Sequence, residues 1–241
     1  MTTQTTERLR RYVRALKKRD ELWGFFNALN YSGEAFLFGG APRDVAFGFG
    51  NKVHDLDIFV SGPIDLDEIS RFSSITRRTN FGGLRLFVGS FEVDAWELDK
   101  SFAFRANASN FIGVRNLLHS VCFSTDGVAV SLKTGGVTVT PAFSKSLDDR
   151  VLDFVTKPAE LEPVVGARIA RLALKLDLAL SLSVAAYLRG CLESFGNNGL
   201  IAAEARWGEH RMLNELLVAQ LAARICDRAS MSASHKLERL G

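Results

Sequence analysis

Two glycines, Gly39 and Gly40, end the apolar run Ala35-Phe36-Leu37-Phe38 and open onto Ala41-Pro42-Arg43-Asp44. About ten residues later comes Asp55-Leu56-Asp57-Ile58-Phe59-Val60. The order strand, glycine turn, short helix, acid-bearing strand restricts the fold more than any other stretch. Pro42 sits near the first helical position, where its missing N–H leaves nothing unpaired. On a strand, residues i and i+2 share a face, so Asp55 and Asp57 present two carboxylates side by side. Like charges so close repel unless a cation lies between them. Carboxylate oxygens select hard ions such as Mg²⁺ or Mn²⁺. Backbone N–H groups of a glycine turn at a helix start suit a phosphate. A phosphate cradle beside a metal-binding acid pair points to phosphoryl or nucleotidyl transfer.

The rest of the chain is compatible with a soluble enzyme. Its 241 residues suffice for one large or two small domains, each with a core. Hydrophobic content of 47% and charged content of 24% are ordinary for a globular protein. Net charge is only +3, which gives no global pull toward nucleic acid. The basic residues are uneven, however: Arg8, Arg10, Arg11, Arg14, Lys17, Lys18 and Arg19 crowd one segment. Cys122, Cys191 and Cys226 lack metal-ligand spacing, which fits reduced thiols in a cytoplasmic protein. No apolar run approaches the roughly 20 residues a membrane span needs. The first residues, Met1-Thr2-Thr3-Gln4, lack a signal-peptide core.

Periodicity predicts an amphipathic helix over 6–29, carrying Leu9, Val13, Leu16, Leu22, Trp23 and Phe26. A strand is expected at 34–39, a short helix at 42–48, a strand at 54–60 and a helix near 64–73. Two strands are expected around Gly89-Ser90, and others at 120–131 and 136–142, joined by Thr134-Gly135. After residue 145 strand signals vanish and Leu, Ala and Arg recur at helical intervals. The expected fold class is therefore α+β. A small mixed sheet with flanking helices spans 1–145, and an all-α domain spans 146–241.

Asp94 alternates with apolar neighbours in Phe91-Glu92-Val93-Asp94-Ala95-Trp96. Such a charge needs a partner. If its strand lies beside that of Asp55 and Asp57, three carboxylates converge, a set able to hold two divalent ions. Otherwise Asp94 pairs with an arginine or sits at an exposed edge. Arg43 is the natural phosphate partner by its planar fork, against a plain helix-surface salt bridge. Asp44 reads as structural, capping or pairing with an arginine. His54 alternates to the opposite face and reads as a packing residue. Tyr187 and Trp207 read as core.

These residues carry a family resemblance. Phe38-Gly39-Gly40-Ala41-Pro42-Arg43-Asp44 through Asp55-Leu56-Asp57 resembles the head domain of class II tRNA CCA-adding enzymes and bacterial poly(A) polymerases, in the polymerase-β-like nucleotidyltransferase superfamily. In the second half, Glu162-Pro163 and then Arg168-Ile169-Ala170-Arg171-Leu172-Ala173-Leu174-Lys175-Leu176 resembles the family's neck motif, D-P-x-R-x-x-R-A-x-R-F-A-A-K-L. Ala203-Glu204-Ala205-Arg206-Trp207-Gly208-Glu209 resembles its later E-R-I-x-x-E-L helix. The resemblance covers roughly residues 34–225. It implies a nucleotidyltransferase head followed by a helical neck, with the nucleotide in the cleft between.

The departures are informative. In the family, an acidic residue and an arginine of the neck read the base of CTP or ATP. Those positions fall on Glu162 and Val165, and valine donates no hydrogen bond. The family's R-R-D-F-T-x-N-A motif maps onto Ser120-Val121-Cys122-Phe123-Ser124-Thr125-Asp126-Gly127, where Phe123, Ser124 and Asp126 keep its character. By this resemblance the chain is expected to end near the end of the neck, without the family's body and tail domains that grip tRNA. The resemblance thus implies retained metal ligands with altered base selection.

The expected activity is metal-dependent transfer of a nucleoside monophosphate from an NTP to a hydroxyl, most naturally an RNA 3′ end. Asp55, Asp57 and Asp94 would ligate Mg²⁺ or Mn²⁺, and Asp94 would also position or deprotonate the acceptor hydroxyl. Gly39, Gly40 and Arg43 would hold the phosphates. Arg168, Arg171 and Lys175 share a helix face. That face either lines the nucleotide pocket, with Arg168 and Arg171 lifted by the family match, or is a solvated stripe. The basic run 8–19 either tracks an RNA backbone or is a solvated face. Two rivals stand beside this reading. One is transfer to a protein or small molecule; the other is an inactive module that binds nucleotide or RNA.

Overall fold

The computed structural model describes residues 1–31, 33–50, 55–79, 82–100, 113–206, 212–221 and 223. His54, Trp207 and Cys226, with residues 207–209 of the neck-like match, lie outside them. The chain divides into two compact units, Met1–Asp149 and Arg150–Gly241. Among the described residues no helix is long and apolar enough to cross a membrane.

The first unit opens with α1 (Thr3–Lys17) and α2 (Asp20–Leu29). Thr2 caps α1 by accepting from the Thr5 N–H. The single helix expected over 6–29 is in fact two. Arg19 takes an extended backbone between them, which re-aims the second apolar stripe. Leu9, Val13 and Leu16 are buried from the first helix, and Leu22, Phe25, Phe26 and Leu29 from the second. Each such side chain stabilises by about 1.5–3 kcal/mol. Trp23, expected in the stripe, is half-exposed.

Next come β1 (Ala35–Phe38), α3 (Gly40–Phe47), β2 (Asp55–Val60), α4 (Leu66–Ser70), β3 (Ser74–Arg78), β4 (Leu84–Val88) and β5 (Phe91–Glu97). Then follow α5 (Val114–His119), β6 (Val128–Ser131), β7 (Val137–Val139) and α6 (Pro141–Asp149). The strands form one seven-stranded mixed sheet in the order β3-β4-β5-β2-β1-β6-β7. The β2/β5 pair is parallel and its other neighbours are antiparallel. Leu56, Ile58, Leu86, Val93 and Ala95 are fully buried and alternate with the polar residues of the opposite face. Helix α3 packs on β1, β2 and β6, and its residues 41–47 are all buried.

Three elements differ from expectation. Strand β3 was not predicted, because its Ser74-Ile75-Thr76-Arg77-Arg78 is exposed throughout and has no apolar alternation. The strand expected over 120–131 is short: residues 124–126 form a 3₁₀ turn and only 128–131 pair. The strand expected over 136–142 ends at Val139, where Thr140 Oγ1 accepts from the Phe143 N–H and starts α6.

The second unit has helices α7 (Pro163–Leu176) and α8 (Leu182–Glu204), the latter broken at Gly196. Pro163 opens α7 at the position that tolerates it. Ser181 caps α8 through the Val184 N–H. A Cβ at Gly166 would lie 2.9 Å from the Cys191 Cβ, so glycine there lets the two helices approach. Tyr187 is buried, as expected, and donates to the Glu160 carbonyl at 2.7 Å. The all-α expectation is corrected by a short parallel pair, β8 (Val151–Leu152) with β9 (Ala179–Leu180). Two-residue strands leave no periodicity to read.

Candidate active site

The sheet register assembles the acids. Asp57 of β2 is paired with Asp94 of β5, and Asp55 with Glu92. On β4, Arg85 is paired with Asp94, and Arg77 of β3 with Arg85. Paired residues of neighbouring strands project from the same face. One row therefore runs Arg77, Arg85, Asp94, Asp57, and a second row holds Glu92 and Asp55. Just beyond the acids, Phe38, Phe59 and Trp96 build an aromatic cluster closed by Leu98 and Leu117. Phe59 stacks on Trp96 at 5.2 Å and meets Phe38 edge-on at 5.1 Å.

Arg85 grips Asp94 with both arms of its fork. Nε reaches Oδ1 at 2.8 Å and Nη2 reaches Oδ2 at 2.6 Å. Its Nη1 also lies 3.0 Å from Glu92 Oε1. The hydrogen bonds to Asp94 raise the guanidinium pKa most; burial opposes, and the charges of Asp94, Glu92 and Asp55 add to the rise. Arg85 is thus a cation among three carboxylates, Asp94, Glu92 and Asp55. The sequence reading did not assign it, nor Glu92, because cross-strand partners become visible only with the register.

The turn beside this face needs its glycine. Gly39 has φ 71°, a conformation side chains disfavour, and a Cβ there would stand 2.6 Å from Asp57 Oδ2. The backbone of the turn consequently lies directly against the Asp57 carboxylate. Beneath it, Arg43 is buried. Its Nε donates to Asp44 Oδ1 and its Nη1 to Asp126 Oδ1, each at 2.9 Å. Burial alone would lower this guanidinium pKa; Asp126 and then Asp44 overcome it and leave it raised. The expected two-pronged grip of Arg43 on phosphate is therefore corrected: those two nitrogens already hold carboxylates. Asp44 pairs with an arginine, as expected. Asp126 completes the pairing across 83 residues, and its only sequence signal was its place in the degraded R-R-D-F-T-x-N-A match.

Arg168 and Arg171 lie on α7 in the second unit. Arg168 is exposed. Arg171 Nη1 is 3.8 Å from Glu204 Oε1. Glu204 is buried and accepts from the backbone N–H groups of Met212 and Leu213. The acid of the third motif match thus ties down the chain that follows α8. The basic run is likewise partly engaged: Arg14 pairs with Glu7, and Lys17 Nζ donates to the Lys133 carbonyl at 3.1 Å. Arg19 lies over the Phe91 ring.

The oxygen donors suit Mg²⁺ or Mn²⁺ in kind. Among the described residues, however, no three acidic, histidine or cysteine side chains are gathered closely enough to hold an ion. The expected convergence is corrected in this respect: the strands are adjacent, while both oxygens of Asp94 are bound by Arg85.

No family model and no curated protein matches the sequence. The fold does match solved structures. One is a tRNA nucleotidyltransferase complexed with a primer tRNA and an incoming ATP analog, at TM-score 0.57 and 20% identity, covering 80% of this chain and 57% of that one. Another is the Thermotoga maritima CCA-adding enzyme complexed with tRNA, at TM-score 0.59 and 18% identity, covering 85% and 49%. A CCA-adding enzyme with ATP matches at TM-score 0.59 and 18% identity, covering 85% and 50%. The chain has the nucleotidyltransferase fold that these structures share. It spans about half their length.

Proposed function

We propose that this protein is a metal-dependent nucleotidyltransferase that moves a nucleoside monophosphate from an NTP to a hydroxyl, with an RNA 3′ end as acceptor. The observation that carries the reading is the pairing of Asp57 with Asp94 across β2 and β5, directly beside the Gly39 turn. The likeness in fold to structures complexed with tRNA and with ATP supports it.

In this reading the Gly39-Gly40 backbone orients the NTP phosphates, and Arg43 braces the turn from below. Asp55 and Asp57 would hold Mg²⁺ or Mn²⁺, joined by Asp94 once one of its oxygens leaves Arg85. The ion, when bound, neutralises charge on the triphosphate and the departing pyrophosphate. Asp94 orients the acceptor hydroxyl and takes its proton. The hydroxyl oxygen bonds to the α-phosphorus as the bond to the β-phosphate oxygen breaks. Arg168 and Arg171 of the second unit remain candidate nucleotide-binding residues. Base choice is relaxed, because Val165 leaves the neck without the arginine of the family's base reader.

The test is incubation with each labelled NTP, Mn²⁺ or Mg²⁺ and total RNA. Label should pass to RNA in the wild type and fall at least about 10³-fold in a folded Asp57→Asn protein. Near-normal transfer by that variant sinks the assignment. A second reading, an inactive module that binds nucleotide or RNA, is favoured by the grip of Arg85 on Asp94. It predicts no label transfer with any NTP, together with retained nucleotide binding.

A further inference from the structure

The sheet face that bears the acids continues past Asp94 and Arg85 to β3, the strand at the sheet's edge. All of it belongs to the first unit. Two rows cross this face. One is Asp57, Asp94, Arg85, Arg77; the other is Asp55, Glu92, Phe87, Ser74. Phe87 therefore stands on the acid face. It is 45% exposed, between Leu86 and Val88, which are buried on the other side. Phe87 and Asp94 are diagonal neighbours, one strand over and two residues along, with Cα atoms about 7–8 Å apart.

Arg77 reaches this face only through an irregularity. Ser74 pairs with Phe87 and Ile75 with Leu86, so regular pairing would set Thr76 opposite Arg85. The register shifts between Ile75 and Arg77, and Arg77 takes that place instead. Thr76 Oγ1 donates to the Arg85 carbonyl at 2.9 Å and holds the shift. A bulge of this kind re-aims a side chain, and bulges are frequent beside active sites. This one carries a penalty, because like charges directly opposite each other destabilise a sheet. Asp94 and Glu92 are both taken by Arg85, and Arg77 has no ion-pair partner among the described residues. An exposed guanidinium and an exposed phenyl ring thus stand together at the outer margin of the acid face. Positive charge on an edge strand also discourages pairing with other chains, but that requires neither the bulge nor the ring.

We infer that this margin seats the unpaired 3′ end of an RNA, with the terminal base stacked on Phe87 and the phosphate before it on Arg77. This rests on the proposed transfer to RNA and gives that transfer a grip on its acceptor. A phenyl ring accepts the flat face of any base, and a guanidinium fork accepts phosphate oxygens. A base inside a duplex has both faces covered and cannot use the ring. Glu92 and Asp55 continue the Phe87 row toward the metal-binding acids and repel phosphate. The backbone is therefore turned outward to Arg77, and the sugar hydroxyl inward to Asp94. Recognition by stacking and charge tolerates any terminal base.

The test uses the full chain without NTP, so that binding is read without turnover. The probe is a single-stranded dodecaribonucleotide, 5′-labelled with fluorescein for affinity against salt. A second copy ends in 2-aminopurine, whose fluorescence falls when the base stacks. Phe87→Ala should weaken binding at least about fivefold with the salt slope unchanged, and should abolish the fall in 2-aminopurine fluorescence. Phe87→Tyr keeps a ring and should bind within twofold of wild type. Arg77→Gln should weaken binding at least about threefold and flatten the log–log salt slope by roughly 0.7, the loss of one single-strand phosphate contact. Circular dichroism checks folding, and Phe87→Leu, apolar without a ring, replaces Phe87→Ala if that variant does not fold. The inference is overturned if the RNA does not bind, or if either the ringless variant or Arg77→Gln binds within twofold of wild type. Label transfer that persists while binding ignores both residues would keep the proposed reaction and remove this seat. Phe87-dependent binding without transfer from any NTP would remove the reaction and keep the seat.

Discussion

Arg43 and Arg85 each hold two carboxylates, and they do so under opposite conditions. The Arg43 side chain is 11% exposed, against 8% and 4% for Asp44 and Asp126. Arg85 is 33% exposed, against 36% for Glu92 and 16% for Asp94. In the first cluster water is nearly excluded, and separating the charges would strand them in a poor solvent. In the second, water can take over each partner in turn. The same chemistry thus makes a permanent brace in one place and a releasable clasp in the other. Burial, more than the count of hydrogen bonds, decides which.

The comparison breaks most visibly at the brace. Arg43→Gln leaves Asp44 and Asp126 buried beside each other and should destabilise the first unit by about 3–5 kcal/mol, read from urea unfolding. A loss below about 1 kcal/mol would show that the brace is no stronger than a surface pair.

Next in size is the role of the clasped acid. Asp94→Asn should lower nucleotide transfer at least about 10²-fold, near 2.7 kcal/mol, with unfolding free energy within about 1 kcal/mol of wild type. A large stability loss with unchanged transfer would reverse the two clusters' assignments.

Between the clusters lies the turn. Gly39→Ala puts a side chain at positive φ and against Asp57 Oδ2, and should destabilise by about 1–3 kcal/mol and depress NTP binding. Equilibrium unfolding and nucleotide titration read the two effects separately.

The smallest stability effect belongs to Arg85→Gln, under about 1 kcal/mol and shrinking further with added salt. Its signature is elsewhere. With Asp94 released, the Mn²⁺ concentration giving half-maximal transfer should fall severalfold. An unchanged midpoint would mean that Asp94 contributes nothing to cation binding.

Sequence legibility followed the range of each interaction. The Gly39-Gly40 turn and the Asp55/Asp57 pair were readable because their meaning lies in spacings of one or two residues. Asp94 was readable because a charge amid Val93, Ala95 and Trp96 breaks a local pattern. The convergence of β2 with β5 could be posed only as a condition, since pairing is a property of two segments. Arg85 on Asp94 and Arg43 on Asp126 were illegible for the same reason: the basic partner is ordinary in its own segment. Strand β3 was missed because its pairing with β4 leaves all five residues exposed, so no apolar periodicity was needed.

The parallel pairing of β2 with β5 has a consequence for how the protein comes into being. Strands β4 and β5 can zip together across Gly89-Ser90, a hairpin closing within microseconds. The β2/β5 pair must wait for the whole crossover through α4, β3 and β4 to close. Such distant pairing is entropically late. A nascent chain thus carries Asp55 and Asp57 for some time before the strand bearing Asp94 has left the ribosome. In refolding, helical signal from α1 and α2 should return before β5 docks beside β2 and brings Asp94 to Asp57.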